Sequence, residues 1–204
     1  PENKPLRRTG NAYQSAQRTT VDLPIDSQGT YTLLYQGTPR YFTSYTAGKN
    51  KKKKRLFADK KAAQAELPNS AKNVTTKKFV TNGIGFITNT LPSKTPYQAT
   101  NIGLEVTPVT HPSDYVTNET IAMKVTYNGK PLANSAVSLK RDGAQYTSNS
   151  TPRKSMTDAQ GELNFLFEQG GRYLLSINHS VTENTPLYDE VGYRLFYAFE
   201  VNFE

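Results

Sequence analysis

Residues 119–143, ETIAMKVTYNGKPLANSAVSLKRDG, and 155–177, SMTDAQGELNFLFEQGGRYLLSI, decide the fold class. Apolar and polar residues alternate over 121–127, the period of a strand with one buried face. Asn128-Gly129-Lys130-Pro131 turns the chain into a second strand over 136–140, which ends at Asp142-Gly143. Asp158-Ala159-Gln160-Gly161 is expected to be a hairpin turn leading into 162–167, and Gly170-Gly171 resets the chain into 173–177. Asn-Gly and Gly-Gly supply the positive φ that tight turns need. Short alternating strands closed at this spacing predict a β-sandwich.

Composition agrees. The 204 residues include 13 Tyr and 9 Phe but no Trp, which favours strands. Cysteine is absent, and with it disulfides, thiolate metal ligands and thiol nucleophiles. The longest apolar run, 195–199, is far short of the roughly 20 residues of a membrane-spanning helix, so no transmembrane segment is expected. The sequence opens PENKPLRRTG, without Met or signal peptide, and is expected to be a processed or truncated chain.

The net charge of +8 is unevenly spread. Residues 1–100 hold 17 basic and 5 acidic residues, a balance of +12; residues 101–204 hold 8 and 12, a balance of −4. The break coincides with LPSKTPYQ at 91–98, which carries Pro92 and Pro96 and reads as a linker. The expected architecture is therefore all-β, with two sandwich domains. Residues 1–95 form an N-terminal sandwich with a basic loop and one short helix, incomplete at its start; residues 100–204 form an immunoglobulin-like sandwich. In the first, strands are expected at 18–23, 30–35, 40–46 and 77–90, the middle two as a hairpin, with a helix over RLFADKKAAQAEL at 55–67. In the second, 193–203 closes the domain, with Tyr193, Leu195, Tyr197, Phe199, Val201 and Phe203 on the core face.

Few residues advertise chemistry. Residues 49–61 carry eight basic residues against Asp59. Such a run can meet nucleic acid or an anionic membrane, or stand solvated in a loop. With no recognised nucleic-acid motif beside it, the mobile loop is the reading, and no nucleic-acid partner is expected. His111 and His179 are the only histidines, and with Asp114 they are the candidate metal ligands, since imidazole and carboxylate are what the chain has to offer a transition metal. Glu119 lies near His111 in sequence, and Glu183, Asp189 and Glu190 follow His179. Asp158–Gly161 looks like half of a calcium loop but lacks the 12-position spacing and its closing Glu. There is no G-x-S-x-G, and Asp189-Glu190 would diverge in an extended segment, so no enzyme is expected.

Several segments resemble a family of bacterial periplasmic proteins described as components of nickel or cobalt transport. They are Gly29-Thr30-Tyr31, Phe79-Val80-Thr81, GLEVTP at 103–108, VTYNGKPLA at 125–133, TDAQG at 157–161, GGRYLL at 170–175 and the closing strand. The likeness spans most of residues 18–203. It implies an exported, non-catalytic accessory or binding protein of transition-metal uptake (nickel, cobalt or iron), with a transporter or outer-membrane receptor component as partner. Family members carry a histidine-containing strand just after the signal peptide, and this chain has no match to it. The second reading, from another class, is a cell-surface or adhesin-like interaction module.

Overall fold

A computed structural model of the chain describes residues 11–94, 97–146 and 151–204. In the first half, β1 (Asn11–Gln14) and β2 (Thr19–Asp22) pair only with each other among the described residues. β3 (Gly29–Gln36) and β4 (Arg40–Ala47) are not the expected hairpin. They run one after the other along the same side of the 18-residue β6 (Lys72–Asn89), β3 against Asn82–Asn89 and β4 against Lys72–Phe79. Between them Gly37 donates its N–H to the Thr81 carbonyl at 2.8 Å, so the ladder carries on through the gap. A β-carbon at Gly37 would stand 2.6 Å from that same oxygen, which explains the residue.

The basic run is exposed as expected, but only its start is a loop: residues 48–51 turn the chain. Lys52–Leu56 forms β5, the antiparallel neighbour of β4 at the edge of the sheet. Its position accounts for its composition, because lysines on an exposed edge discourage another chain from adding to the ladder. The helix is accordingly shorter than expected: α1 spans Lys60–Glu66, and Asp59 caps it by accepting the Ala62 N–H at 2.9 Å.

The second half brings β7 (Leu104–Pro108), β8 (Thr120–Tyr127), β9 (Lys130–Pro131), β10 (Ala136–Arg141), β11 (Arg153–Met156), β12 (Glu162–Leu166), β13 (Gly171–Thr182) and β14 (Glu190–Val201). β12, β8, β7 and β9 make one antiparallel sheet. Asn128 and Gly129, at φ 49° and 75°, give the turn between β8 and β9 its positive dihedrals. The Asp158–Gly161 turn joins no hairpin; it passes the chain from β11 in one sheet to β12 in the other. Asp158 Oδ1 fixes it by accepting the N–H groups of Gln160 and Glu162 at 2.9 and 2.7 Å.

The larger sheet runs β11-β10-β13-β14-β6-β4-β5, and β14 and β6 pair in parallel from Glu190↔Lys77 to Ala198↔Gly85. The halves expected as separate sandwiches thus share one sheet. They also share a core, since Ile84 of β6 belongs to the same buried cluster as Leu104, Leu195 and Tyr197. Within that cluster Ile121, Met123, Val125, Leu175, Ile177 and Tyr197 are fully enclosed. The core face expected for the closing strand is buried from Leu195 to Val201, but Phe203 lies beyond the strand's end and is 76% exposed.

The proline segment links the halves along the chain; its residues 95 and 96 lie outside the described residues. Its far side is tied down by Glu105, a buried carboxylate on β7. Oε1 accepts from the Tyr97 hydroxyl at 3.1 Å and from the Thr100 N–H and hydroxyl at 2.8 Å each, and Oε2 accepts the Asn101 N–H at 2.8 Å. A carboxylate can be buried here because donors surround it.

Candidate ligand groove

Strand alternation decides which side chains share a face. On β4 these are Arg40, Phe42 and Ser44; on β5, Lys53 and Arg55; on β6, Thr75, Lys77, Phe79 and Thr81. Register brings them together: Ser44 opposes Arg55 and Thr75, Phe42 opposes Lys77, and Arg40 opposes Phe79. Across the parallel step Lys77 opposes Glu190, Phe79 opposes Gly192 and Thr81 opposes Arg194. All of these but Gly192 line an open groove of about 610 Å³. That volume lies in the range of small-molecule sites, roughly 300–1,000 Å³.

The opposite face of β4 and β6 is covered. Thr43 and Thr76 are buried there, joined hydroxyl to hydroxyl at 2.8 Å, and Thr43 Oγ1 donates to the Ala58 carbonyl at 2.9 Å. Lys60 of α1 pairs with Asp189 at 2.6 Å, and the other oxygen of Asp189 accepts the Thr76 N–H at 2.7 Å. Burial pushes the Asp189 carboxyl up, but the Lys60 hydrogen bond, the Thr76 N–H and the Lys60 charge outweigh it and hold the group below the usual aspartate range. One side of the sheet is therefore braced by α1 and the segment before β14, while the other is left open as the groove.

Five cations (Arg40, Lys53, Arg55, Lys77 and Arg194) face a single carboxylate, Glu190, in the lining. Lys77 uses that carboxylate at 3.2 Å and also donates to Ser180 Oγ at 3.1 Å. Arg194 Nε donates to the neutral Asn178 Oδ1 at 3.2 Å. Among the described residues, Arg40, Lys53, Arg55 and Arg194 have no carboxylate in ion-pair range. The floor is aromatic: Phe42 and Phe79 meet edge to face at 5.3 Å, and Phe57 meets Phe42 at 5.0 Å. Uncompensated cations around apolar rings give a positive field over a surface that water wets poorly, the setting for an anion with an apolar body.

The expected metal ligands lie elsewhere. His111 caps a 3-10 turn, Pro112–Asp114, where its Nδ1 accepts the Ser113 N–H at 3.1 Å and also contacts the Ser113 hydroxyl. With Nδ1 accepting, the neutral ring carries its proton on Nε2, which faces Thr30 Oγ1 of β3 at 3.3 Å. His111 is thus a peg between the halves with both nitrogens engaged. His179, on β13, packs on Tyr127 at 4.7 Å, and burial holds its pKa below the ordinary value. Asp114 is exposed. Nor do the carboxylates near His179 in sequence gather around it: Glu183 accepts from the Tyr188 hydroxyl, Asp189 holds Lys60, and Glu190 holds Lys77. Among the described residues no three His, Asp or Glu side chains cluster as a ligand set for a metal ion. Among the described residues, none of these arrangements fits nickel, cobalt or iron as a bare ion.

A domain model spanning residues 3–181 matches this sequence. The chain belongs to the DUF4198 family, a domain of unknown function. The matched span takes in β4, β5 and β6, which carry most of the groove, while Glu190, Gly192 and Arg194 of β14 lie past its end. No curated protein and no solved structure matches the chain. In this DUF4198 chain the groove escaped sequence reasoning because its residues come from four strands. The one local signal was the unbroken run of cations at 51–55, two of which, Lys53 and Arg55, face the groove once β5 forms.

Proposed function

We propose that this protein is a non-catalytic periplasmic accessory of transition-metal uptake, and that the groove holds its cargo as an anionic complex and not as a bare ion. The observation that carries the reading is the four cations without a carboxylate partner that ring Phe42 and Phe79. The sequence likeness to periplasmic proteins of nickel and cobalt transport supplies the metal. The sign of the groove supplies its form, since a bare divalent cation would be repelled there. Hydroxyls of Ser44, Thr75 and Thr81 line the groove with no imidazole beside them, which favours binding over catalysis.

Titration of the anionic nickel and iron(II) complexes of 2,2′-bipyridine-5,5′-dicarboxylate, an aromatic chelator with a carboxylate at each end, against nickel and cobalt chloride, tests this. The complexes should bind at unit stoichiometry, and Arg40→Glu/Arg55→Glu should weaken them about tenfold, two partly exposed charge pairs' worth. Unit binding of the chlorides, with no binding of the complexes, would overturn the proposal.

A further inference from the structure

The strand registers put the groove's chemistry in order. An aromatic stripe crosses the sheet through Phe57, Phe42 and Phe79, with successive rings 5.0 and 5.3 Å apart. Phe57 is 84% exposed, so its ring is offered to solvent at the stripe's outer end. Beyond the stripe toward one end of the strands stand Arg40 and Arg194; toward the other stand Arg55, opposite Ser44, and Lys53, opposite Thr46. From Arg40 to Ser44 is four residues of β4, about 14 Å at roughly 3.4 Å per residue.

Cations that converge on one point would suit a compact anion such as phosphate. Here they are parted by phenyl rings, so one small anion cannot reach both ends. Lys77, the cation inside the stripe, is neutralised by Glu190 and lies 5.6 Å from the centre of the Phe79 ring. The middle of the groove therefore carries no net charge and has an aromatic floor whose two rings stand at 86° to each other, and its ends are positive. We infer that the groove selects a rod-shaped dianion: an aromatic body with an anionic group at each end, lying on the face of one phenyl ring and the edge of the other, one end on Arg40 and Arg194, the other on Arg55 and Lys53. This rests on the proposed reading of the groove as the ligand site and adds the shape and charge pattern of the ligand. A nucleic-acid strand shares both chemistries, but Glu190 would lie under its backbone track, and the positive charge is confined to two ends.

Three probes separate the possibilities: 4,4′-biphenyldicarboxylate, biphenyl-4-carboxylate and decanedioate, each titrated calorimetrically. The aromatic dianion should bind one to one and at least about tenfold tighter than either of the others, the worth of one stacked ring or of one paired end. Arg40→Ser, at an exposed site, should erase its advantage over the monoanion. Phe42→Leu should erase its advantage over decanedioate, a ratio that does not depend on how much of the variant is folded. Equal affinity for all three probes would overturn the inference while leaving an anion site in place. Binding of none would remove the site itself. Tighter binding of oligothymidylate, with a steep salt dependence, would overturn the inference in favour of a single-strand surface.

Discussion

The Lys77 side chain reaches over Gly192, the residue opposite Phe79 on the neighbouring parallel strand, so close that a β-carbon on Gly192 would stand 2.9 Å from Lys77 Cε and 3.3 Å from Phe79 Cε1. The missing side chain is what lets both residues settle onto the groove floor. Gly192→Ala should force the Lys77 tail and the Phe79 ring to shift and weaken its ion pair with Glu190. The lysine end is flexible and the backbone here suits any residue, so stability should change by no more than about 0.5 kcal/mol. Anion affinity should fall several-fold all the same. Thermal melts paired with ligand titration check both halves of this statement.

Alternation along β5 makes a second prediction. Lys53 and Arg55 face the groove; Lys52 and Lys54 point to the other side. Lys53→Ser/Arg55→Ser should reduce anion binding, whereas Lys52→Ser/Lys54→Ser should leave it unchanged, and neither pair should move stability by more than about 0.5 kcal/mol. Equal effects of the two pairs would mean that the segment behaves as a solvated loop.

Glu105→Gln should be among the more damaging single substitutions. It turns one acceptor of a buried carboxylate into a donor facing other donors, and it removes the charge from hydrogen bonds to Tyr97, Thr100 and Asn101. The expected loss is about 2–3 kcal/mol, read as a drop in the urea midpoint.

The pH profile of stability should fall at both ends. Burial pushes the hydroxyls of Tyr97, Tyr115, Tyr193 and Tyr197 above the ordinary tyrosine range, and the Glu105 charge adds to the shift at Tyr97. Unfolded tyrosine loses its proton near pH 10 while these folded phenols keep theirs, so their contribution is complete below about pH 10 and shrinks as pH rises. Asp189 works in the opposite sense: its lowered pKa gives stability above the unfolded value of about 4, lost as pH falls through the folded one. His179, also lowered, disfavours folding once pH drops below about 6.5, where the unfolded ring protonates. Urea melts from acid to alkaline pH should show this, and Asp189→Asn should flatten the acid limb below about pH 4.

Much of the fold could be read locally. The strands around Asn128-Gly129 and the buried face from Leu195 to Val201 follow from alternation and turn chemistry, which act over a few residues. The parallel pairing of β6 with β14 could not be read, because Lys77 and Glu190 lie more than a hundred residues apart and nothing local sets their register. The same pairing joined two expected cores into one. β5 was hidden by the low strand propensity of lysine, overridden here by pairing with β4. The shortened helix was legible at Asp59, three residues ahead of the Ala62 N–H that it caps. The groove depended on all the long-range registers at once.

The most direct test of the account is to titrate isotope-labelled protein with 4,4′-biphenyldicarboxylate and follow the amide resonances by nuclear magnetic resonance. The account predicts saturable shifts gathered at Arg40–Ser44, Lys53–Arg55, Lys77–Thr81 and Gly192, with His111 and His179 unmoved. Shifts centred on either histidine, or none at all at saturating ligand, would contradict it.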